Sequence, residues 1–254
     1  VKMADKDQLN DREYYHGLKS YVDSVVYPDF PYSHVYAIKE VVEKIPSDSV
    51  LHLSINDSIR ITNFFKLNPR IKTYANIGTH GIDGCLSSFL GQAAAGDKQS
   101  YLVIGDLAFF YDMNAMRLRH IKNNVHILLI NNEGGSEFYF NHMWKDEASD
   151  LHTTARHHTK AEGWVKSNNF IYLSAHDKES MQEALKEFMR CDLEKPVFLE
   201  VFTEMKTDSD VIYDFFDLSR PKDVQSETIR RSKEFIKATI GQEKAQKIAG
   251  LFKK

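Results

Sequence analysis

The residues best suited to chemistry lie just after two apolar runs. Residues 101–105 are followed at once by Asp106, and residues 125–130 by an Asn-Asn pair that ends in Asn132. Both runs have the length and β-branched content of buried parallel strands. Because the carboxyl ends of neighbouring parallel strands meet at one edge of a sheet, we expect Asp106 and Asn132 to lie close together. Their oxygens, with the carbonyl of Gly134, are ligands that suit Mg²⁺ shared with phosphate groups.

Each of these features has a simpler explanation when taken alone. A Gly-Asp pair after a strand is common in doubly wound folds, and Asn-Asn-x-Gly is typical of a turn because Asn and Gly tolerate positive φ. The combination at two strand ends is what predicts a ligand site. We expect Asp106 to face solvent at its strand end and to contribute little to the core.

The elements that must position these residues alternate along the chain. Apolar runs predict strands, and stretches with a helical period predict the helices between them. The predicted strands are 47–55, 71–75, 101–105, 125–130, 170–173 and 197–202, and the predicted helices are 11–22, 34–44, 57–65, 81–95, 111–122, 160–167, 178–190 and 226–240. Ser33 is the expected N-cap of the second helix. Residues 138–159 show no clear period, and we expect a lid there. The alternation predicts an α/β, doubly wound, mainly parallel sheet with helices on both faces.

Composition narrows the class of protein. The chain has 254 residues, of which 42% are hydrophobic, and a net charge of −3 at pH 7. Such a chain can bury a sizeable core, and its charge argues against a nucleic-acid-binding protein. No apolar run approaches the roughly 18 residues of a membrane helix, and no signal peptide is recognisable. The two cysteines have neither metal-ligand nor disulfide-framework spacing. We therefore expect a cytoplasmic protein that binds neither nucleic acid nor membrane.

The Gly-Asp and Asn-Asn pairs, at this spacing, resemble the diphosphate-binding domain of thiamine diphosphate (ThDP) enzymes. Within that family the chain looks most like the menaquinone-pathway synthase, which joins 2-oxoglutarate to isochorismate to make 2-succinyl-5-enolpyruvyl-6-hydroxy-3-cyclohexene-1-carboxylate. The stretches that carry this likeness are the Leu after Gly-Asp, the Asp-x-Asn of 112–114, the Asn-Asn-x-Gly-Gly of 131–135 and NIGTHGIDG at 76–84. The similarity runs from about residue 33 to 203. It implies that ThDP and Mg²⁺ are the cofactors.

The resemblance also implies a role for individual residues. The expected Mg²⁺ ligands are Asp106, Asn132 and Gly134. The other expected cofactor-binding residues are Ile82, Gly105, Leu107 and Gly135, of which Ile82 would support the bent cofactor from below. His80 would lie near the thiazolium ring, where an imidazole can act as an acid or base near neutral pH.

The predicted substrate residues differ in part from the family pattern. Arg60 aligns with an arginine that binds substrate carboxylates, Asn56 stands where the family has Ser, and Phe138 is retained. Ile77 replaces a second arginine, and Glu137 replaces an apolar residue. A lost cation and an added anion both disfavour isochorismate with 2-oxoglutarate, so we expect a different, small 2-oxo acid as substrate.

The resemblance covers only half of a ThDP site. We expect a helical linker at 1–46, the diphosphate-binding domain at 47–207 and a helical tail at 208–254. The family's pyrimidine-binding domain, which supplies a catalytic glutamate, is expected in the rest of a longer chain or in a partner subunit. Because the complete site forms between two subunits in this family, we also expect a homo-oligomer.

Two functions from different classes follow from these observations. The first is the diphosphate- and Mg²⁺-binding half of a ThDP-dependent carboligase or decarboxylase. The second is a non-catalytic scaffold that keeps the fold, which the departures at Ile77 and Glu137 favour. A nicotinamide-binding domain is disfavoured because no G-x-G-x-x-G follows a strand. The spacing of His152, His157 and His158 matches no standard zinc pattern.

Overall fold

The computed structural model describes residues 12–78, 80–139 and 151–219. The chain divides into two units, Val1–Asp214 and Phe215–Lys254. The first unit contains the sheet and the candidate site. In the second unit, the described residues are the last turn of a helix.

The described strands form one six-stranded sheet in which every pair of neighbours is parallel. In chain order the strands are β1 (Val50–Leu53), β2 (Lys72–Ala75), β3 (Ser100–Gly105), β4 (Val125–Asn131), β5 (Ile171–Ala175) and β6 (Val197–Phe202). Their order across the sheet is β2-β1-β3-β4-β6-β5. The expected α/β, doubly wound fold is confirmed.

Helices connect these strands and flank the sheet. They are α1 (Arg12–Asp23), α2 (His34–Val42), α3 (Asp57–Thr62), α4 (Cys85–Ala94), α5 (Asp106–Asp112), α6 (Ser136–Tyr139), α7 (Glu162–Ser167), α8 (Lys178–Phe188) and α9 (Met205–Ser219). Ser33 caps α2 as predicted, because its side chain accepts a hydrogen bond from the backbone N–H of Tyr36. Among the described helices, none is long and apolar enough to cross a bilayer.

The path of the chain reverses direction beside β1. From β1 it moves outward to β2 at one edge, and from β2 it returns to β3 on the other side of β1 before continuing to β4. The carboxyl ends of β1 and β3 therefore lie side by side at a topological switch point. In open α/β sheets this is where ligands bind. Nearly every residue of β3 and β4 is buried, so the two strands that lead to Asp106 and Asn132 belong to the core of the sheet.

One sequence prediction requires correction, and two fall wholly or partly outside the described residues. The helix predicted at 111–122 begins instead at Asp106, directly after β3, and is followed by a 3₁₀ turn at Met113–Arg117. Helix α9 begins at Met205, shortly after the last strand. Residues 140–150 of the expected lid and the helix expected at 226–240 lie outside the described residues.

Candidate functional site

A cavity of about 300 Å³ lies at the carboxyl ends of β1, β3 and β4. It collects residues that are far apart in the sequence. The predicted site residues that line it are Asn56, His80, Ile82, Gly105, Asp106, Leu107, Asn132, Gly134, Gly135 and Phe138. Arg60 is the predicted residue that does not line it. The fold therefore places the predicted cofactor residues and most of the predicted substrate residues around one space.

Asp106 is the most heavily hydrogen-bonded side chain of this cavity. Its Oδ2 accepts hydrogen bonds from the backbone N–H groups of Asn132, at 3.1 Å, and Gly134, at 3.0 Å. Its Oδ1 accepts from the N–H of Leu107 at 2.6 Å. The residue is only 2% exposed. The expectation that Asp106 faces solvent is wrong, because its carboxylate ties the end of β3 to the turn after β4.

His157 is a neighbour of Asp106 that the sequence did not assign to this site. Its Nε2 lies 3.3 Å from Asp106 Oδ2, while its Nδ1 accepts a hydrogen bond from the N–H of Thr159. A nitrogen that accepts from an amide carries no proton, so the neutral ring holds its proton on Nε2, towards Asp106. This carboxylate raises the pKa of His157 above its ordinary value.

The two asparagines after β4 have different environments. Asn131 donates from Nδ2 to Glu200, a fully buried carboxylate that also accepts from Tyr172 and from the N–H of Ala161. Asn132 lines the cavity and donates from Nδ2 to Asp208 at 3.0 Å. Because a carboxylate only accepts hydrogen bonds, this contact fixes which atom of the side-chain amide is the nitrogen and leaves Oδ1 of Asn132 as its acceptor.

Asp208 is the centre of a buried network behind Asn132. Its Oδ2 also accepts from the hydroxyl of Thr203, and its Oδ1 lies 3.2 Å from His34 Nδ1. Burial would raise the pKa of Asp208, yet these partners hold it below its ordinary value. Burial likewise opposes protonation of His34, but the carboxylates of Asp208 and Asp57 outweigh it and raise the pKa of His34 to about 9.

The turn after β4 depends on backbone conformations that few residues adopt. Glu133 has φ of 64° and Gly134 has φ of 149°. A Cβ at Gly134 would lie 2.6 Å from the carbonyl oxygen of Thr154, so a side chain cannot be accommodated there without movement of the backbone. Gly135 donates its N–H to the same oxygen at 2.7 Å. The tight turn thus presents backbone groups, rather than side chains, to the cavity.

The start of α4, which follows Ile82 in the chain, is held in place by a side chain of α5. The side chain of Asp112 accepts a hydrogen bond from the N–H of Ser87, in the first turn of α4, at 2.7 Å. Ile82 packs against the hydrophobic core and also lines the cavity. This gives the first residue of the Asp-x-Asn stretch a structural role, because Asp112 fixes the segment that carries Ile82. His80 lines the same space with a positive φ of 54°.

The oxygen atoms at and around Asp106 are of the type that binds a hard divalent cation. Among the described residues, no group of three or more His, Cys, Asp or Glu side chains could hold a metal ion. A cation would therefore depend on Asp106 together with amide and carbonyl oxygens, which is the ligand type that Mg²⁺ prefers. The described lining residues include neither lysine nor arginine. A diphosphate in this cavity would thus need a cation to balance its charge.

The lining of the cavity also includes Asn56, Asp57, Glu137 and Phe138. Arg60 Nη1 forms an ion pair with Glu137 Oε1. Burial raises the pKa of Glu137, against the opposing effect of Arg60. Ile77, which replaces an arginine of the resembled pattern, is 44% exposed and is not part of the lining.

Sequence reasoning missed several residues of this site. They are His34, Asp57, Ser136, His157 and Asp208. His34 is the first residue of α2, directly after the N-cap Ser33, but its partner Asp208 lies 174 residues away. No local pattern connects such positions, because only the fold brings α2 and α9 to the same strand ends.

Comparison with known proteins adds an independent observation. A 2-succinyl-5-enolpyruvyl-6-hydroxy-3-cyclohexene-1-carboxylate synthase of Phocaeicola vulgatus is 35% identical over 200 residues, which is 78% of this chain and 36% of that protein. The synthase of the same name from Bacteroides fragilis is 37% identical over 191 residues, covering 74% of this chain and 34% of that protein. The chain is similar to part of this synthase. No family model matches it.

The match covers only part of each relative. The chain spans about a third of the length of these relatives, 36% and 34% in the two cases above. A third synthase, from Christiangramia forsetii, is 34% identical over 193 residues and shows the same partial coverage, 33% of its length. The similarity therefore extends over most of this chain, while most of each relative has no counterpart in it.

Proposed function

We propose that this chain is the diphosphate- and Mg²⁺-binding portion of a ThDP-dependent 2-oxo-acid decarboxylase or carboligase. The observation that carries the proposal is the meeting of Asp106 with the Asn132–Gly134 turn at the switch point of the sheet, in a cavity also lined by Ile82. The similarity to synthases that are named for a carboligation product supports the same conclusion.

In this proposal the chain binds and orients the cofactor. Asp106, the side-chain oxygen of Asn132 and the backbone carbonyl of Gly134 would hold Mg²⁺, which would balance the charge of the diphosphate. Ile82 would support the bound cofactor. ThDP, when bound, supplies an electron sink for carbon–carbon bond cleavage and formation. A pyrimidine-binding domain, from the rest of a longer chain or from a partner subunit, completes the site.

The substrate in this proposal is a small 2-oxo acid. Isochorismate is disfavoured because a buried carboxylate needs a paired cation, and Arg60, the predicted carboxylate-binding residue, is already paired with Glu137. The Glu137 carboxylate would also repel an anionic ligand. A small 2-oxo acid has a single carboxylate, which a rearranged Arg60 could hold.

The pairing of Arg60 with Glu137 also favours a second candidate, a scaffold that has kept the fold and lost the reaction. In that case the hydrogen bonds of Asp106 serve only to hold the turn after β4. The two candidates differ in one measurable property, which is binding of the cofactor.

The test is calorimetric titration of ThDP, with and without Mg²⁺, into the full chain mixed with its pyrimidine-binding domain. We expect Mg²⁺-dependent binding that Asp106→Ala weakens by more than about 100-fold, beyond the usual effect of changing an outer-shell partner of a metal ligand. The matched control is Asp97→Ala, which removes a carboxylate that is 95% exposed and paired with Lys122. Absence of ThDP binding by the complete mixture would leave the scaffold as the function.

A further inference from the structure

Two further carboxylates of the cavity, those of Asp57 and Glu137, have unequal partners. Asp57 Oδ2 accepts a hydrogen bond from the hydroxyl of Ser136 at 2.6 Å. Glu137 Oε1 is paired with Arg60, while Glu137 Oε2 is buried and has no hydrogen-bond partner among the described residues. Both residues line the cavity. Buried polar atoms are nearly always paired, so the open oxygen of Glu137 indicates a missing hydrogen-bond donor.

His34 provides a second, independent observation at the same place. Its side chain is 1% exposed and lines the cavity. Its Nε2 has no hydrogen-bond partner among the described residues and lies 3.7 Å from Asp57 Oδ2, beyond hydrogen-bond distance. A protonated Nε2 can only donate, so this atom lacks an acceptor. The lining of the cavity therefore lacks a hydrogen-bond donor at Glu137 and a hydrogen-bond acceptor at His34.

We propose that this subsite, formed by His34, Asp57 and Glu137, binds a hydroxyl group of an uncharged ligand. A hydroxyl is both donor and acceptor, so it can donate to the Glu137 carboxylate and accept from His34 Nε2. A carboxylate ligand could accept from His34 but would meet two carboxylates from which it can receive nothing. An ammonium group could donate to Glu137 but offers nothing to the Nε2 proton of His34.

The charges around the subsite also favour an uncharged ligand. Arg60, which could balance an anionic ligand, is already paired with Glu137. His34 lies between Asp208 and Asp57, so its charge is balanced within the protein. An additional buried anion would lose its hydration, and it would gain an ion pair with Arg60 only if Arg60 left Glu137. If the proposed function holds, this ligand is the acceptor in the carbon–carbon bond-forming reaction; the binding of a hydroxyl group does not itself rest on that function.

Three-carbon probes that differ in their end groups test the proposal on the full chain. Binding of 1,3-propanediol, malonate and 1,3-diaminopropane is followed by chemical-shift titration of the isotope-labelled protein. We expect the diol to bind about tenfold or more tightly than either charged probe, with shifts at residues that line the cavity. Equal or tighter binding of malonate, tighter binding of the diamine, or absence of binding by all three would overturn the proposal.

Two isosteric variants identify the side chains that cause the preference for the diol. Glu137→Gln removes the anion and releases Arg60, so the preference for the diol over malonate should shrink by about tenfold or more. Asp57→Asn should reduce the same preference, and it provides an independent measurement if Glu137→Gln does not fold. Glu183→Gln, in which the altered side chain is 73% exposed on α8, is the control and should retain the wild-type preference. An unchanged preference in both cavity variants would refute the subsite.

These titrations contain no ThDP, so their result is independent of the cofactor experiment. A preference for the diol in a chain that fails to bind ThDP would refute the proposed function and support the subsite. ThDP binding without a preference for the diol would support the proposed function and refute the subsite.

Discussion

Replacement of Asp106 should destabilise the fold as well as remove a metal ligand. The residue is 2% exposed, and its carboxylate accepts hydrogen bonds from the N–H groups of Leu107, Asn132 and Gly134. In Asp106→Ala these donors lose their acceptor. In Asp106→Asn one oxygen remains, but the amide nitrogen must face at least one of the same N–H groups.

The size of the effect follows from these contacts. A hydrogen bond to a charged group contributes about 1.5–3 kcal/mol, and a buried donor left unpaired costs about 1–3 kcal/mol. The contributions are not additive, and water from the adjacent cavity can hydrate part of the exposed backbone. We therefore expect Asp106→Ala to lower the free energy of unfolding by about 3 kcal/mol and Asp106→Asn by about 1–2 kcal/mol. Losses of this size leave the fold intact at ordinary stabilities of about 5–15 kcal/mol.

Urea denaturation of the full chain without metal or cofactor measures this effect. Asp97→Ala, an exposed change, should stay within about 0.5 kcal/mol of the wild type. If Asp106→Ala also stayed within that range, the three backbone hydrogen bonds would not stabilise the turn, and our account of Asp106 as a structural residue would be wrong. A loss in Asp106→Asn that equals the loss in Asp106→Ala would indicate that charge, rather than acceptor geometry, dominates.

Further predictions concern stability, substrate choice and assembly. Because the pKa of His34 is raised from 6.5 to about 9, its stabilising effect is complete below the lower value and is lost as pH rises through the higher one. The free energy of unfolding should therefore fall over this range in the wild type, and fall less in His34→Gln. Gly134→Ala should destabilise the fold by more than about 2 kcal/mol, whereas Gly163→Ala, where a Cβ meets no atom within 4 Å, should be nearly neutral in the same denaturation assay. In steady-state kinetics the complete enzyme should use small 2-oxo acids in preference to isochorismate, and Ile77→Arg should improve isochorismate use; efficient wild-type turnover of isochorismate would contradict this. Light scattering should detect self-association, since α1 exposes Tyr14, Tyr15 and Leu18; a monomer at high concentration would argue against it.

The sequence alone determined the class of fold and the approximate location of the site. The regular alternation of apolar runs with helical patterns predicted a parallel sheet, and the two central strands, β3 and β4, follow from local patterns that need no long-range information. The polar residues after β3 and β4 were identifiable because parallel strands bring their carboxyl ends to one edge. Their binding roles stay predictions until a ligand is measured.

Tertiary structure decided which groups surround those residues and how they are paired. The sequence could not indicate that Asp106 is buried, because burial depends on a turn that follows the next strand. It could not pair Arg60 with Glu137, which are separated by 77 residues, or His34 with Asp208, which are separated by 174. Local periodicity reports the faces of single elements, whereas ion pairs and cavity walls depend on the order of strands in the sheet. The charge of the candidate substrate subsite is therefore a property of the fold.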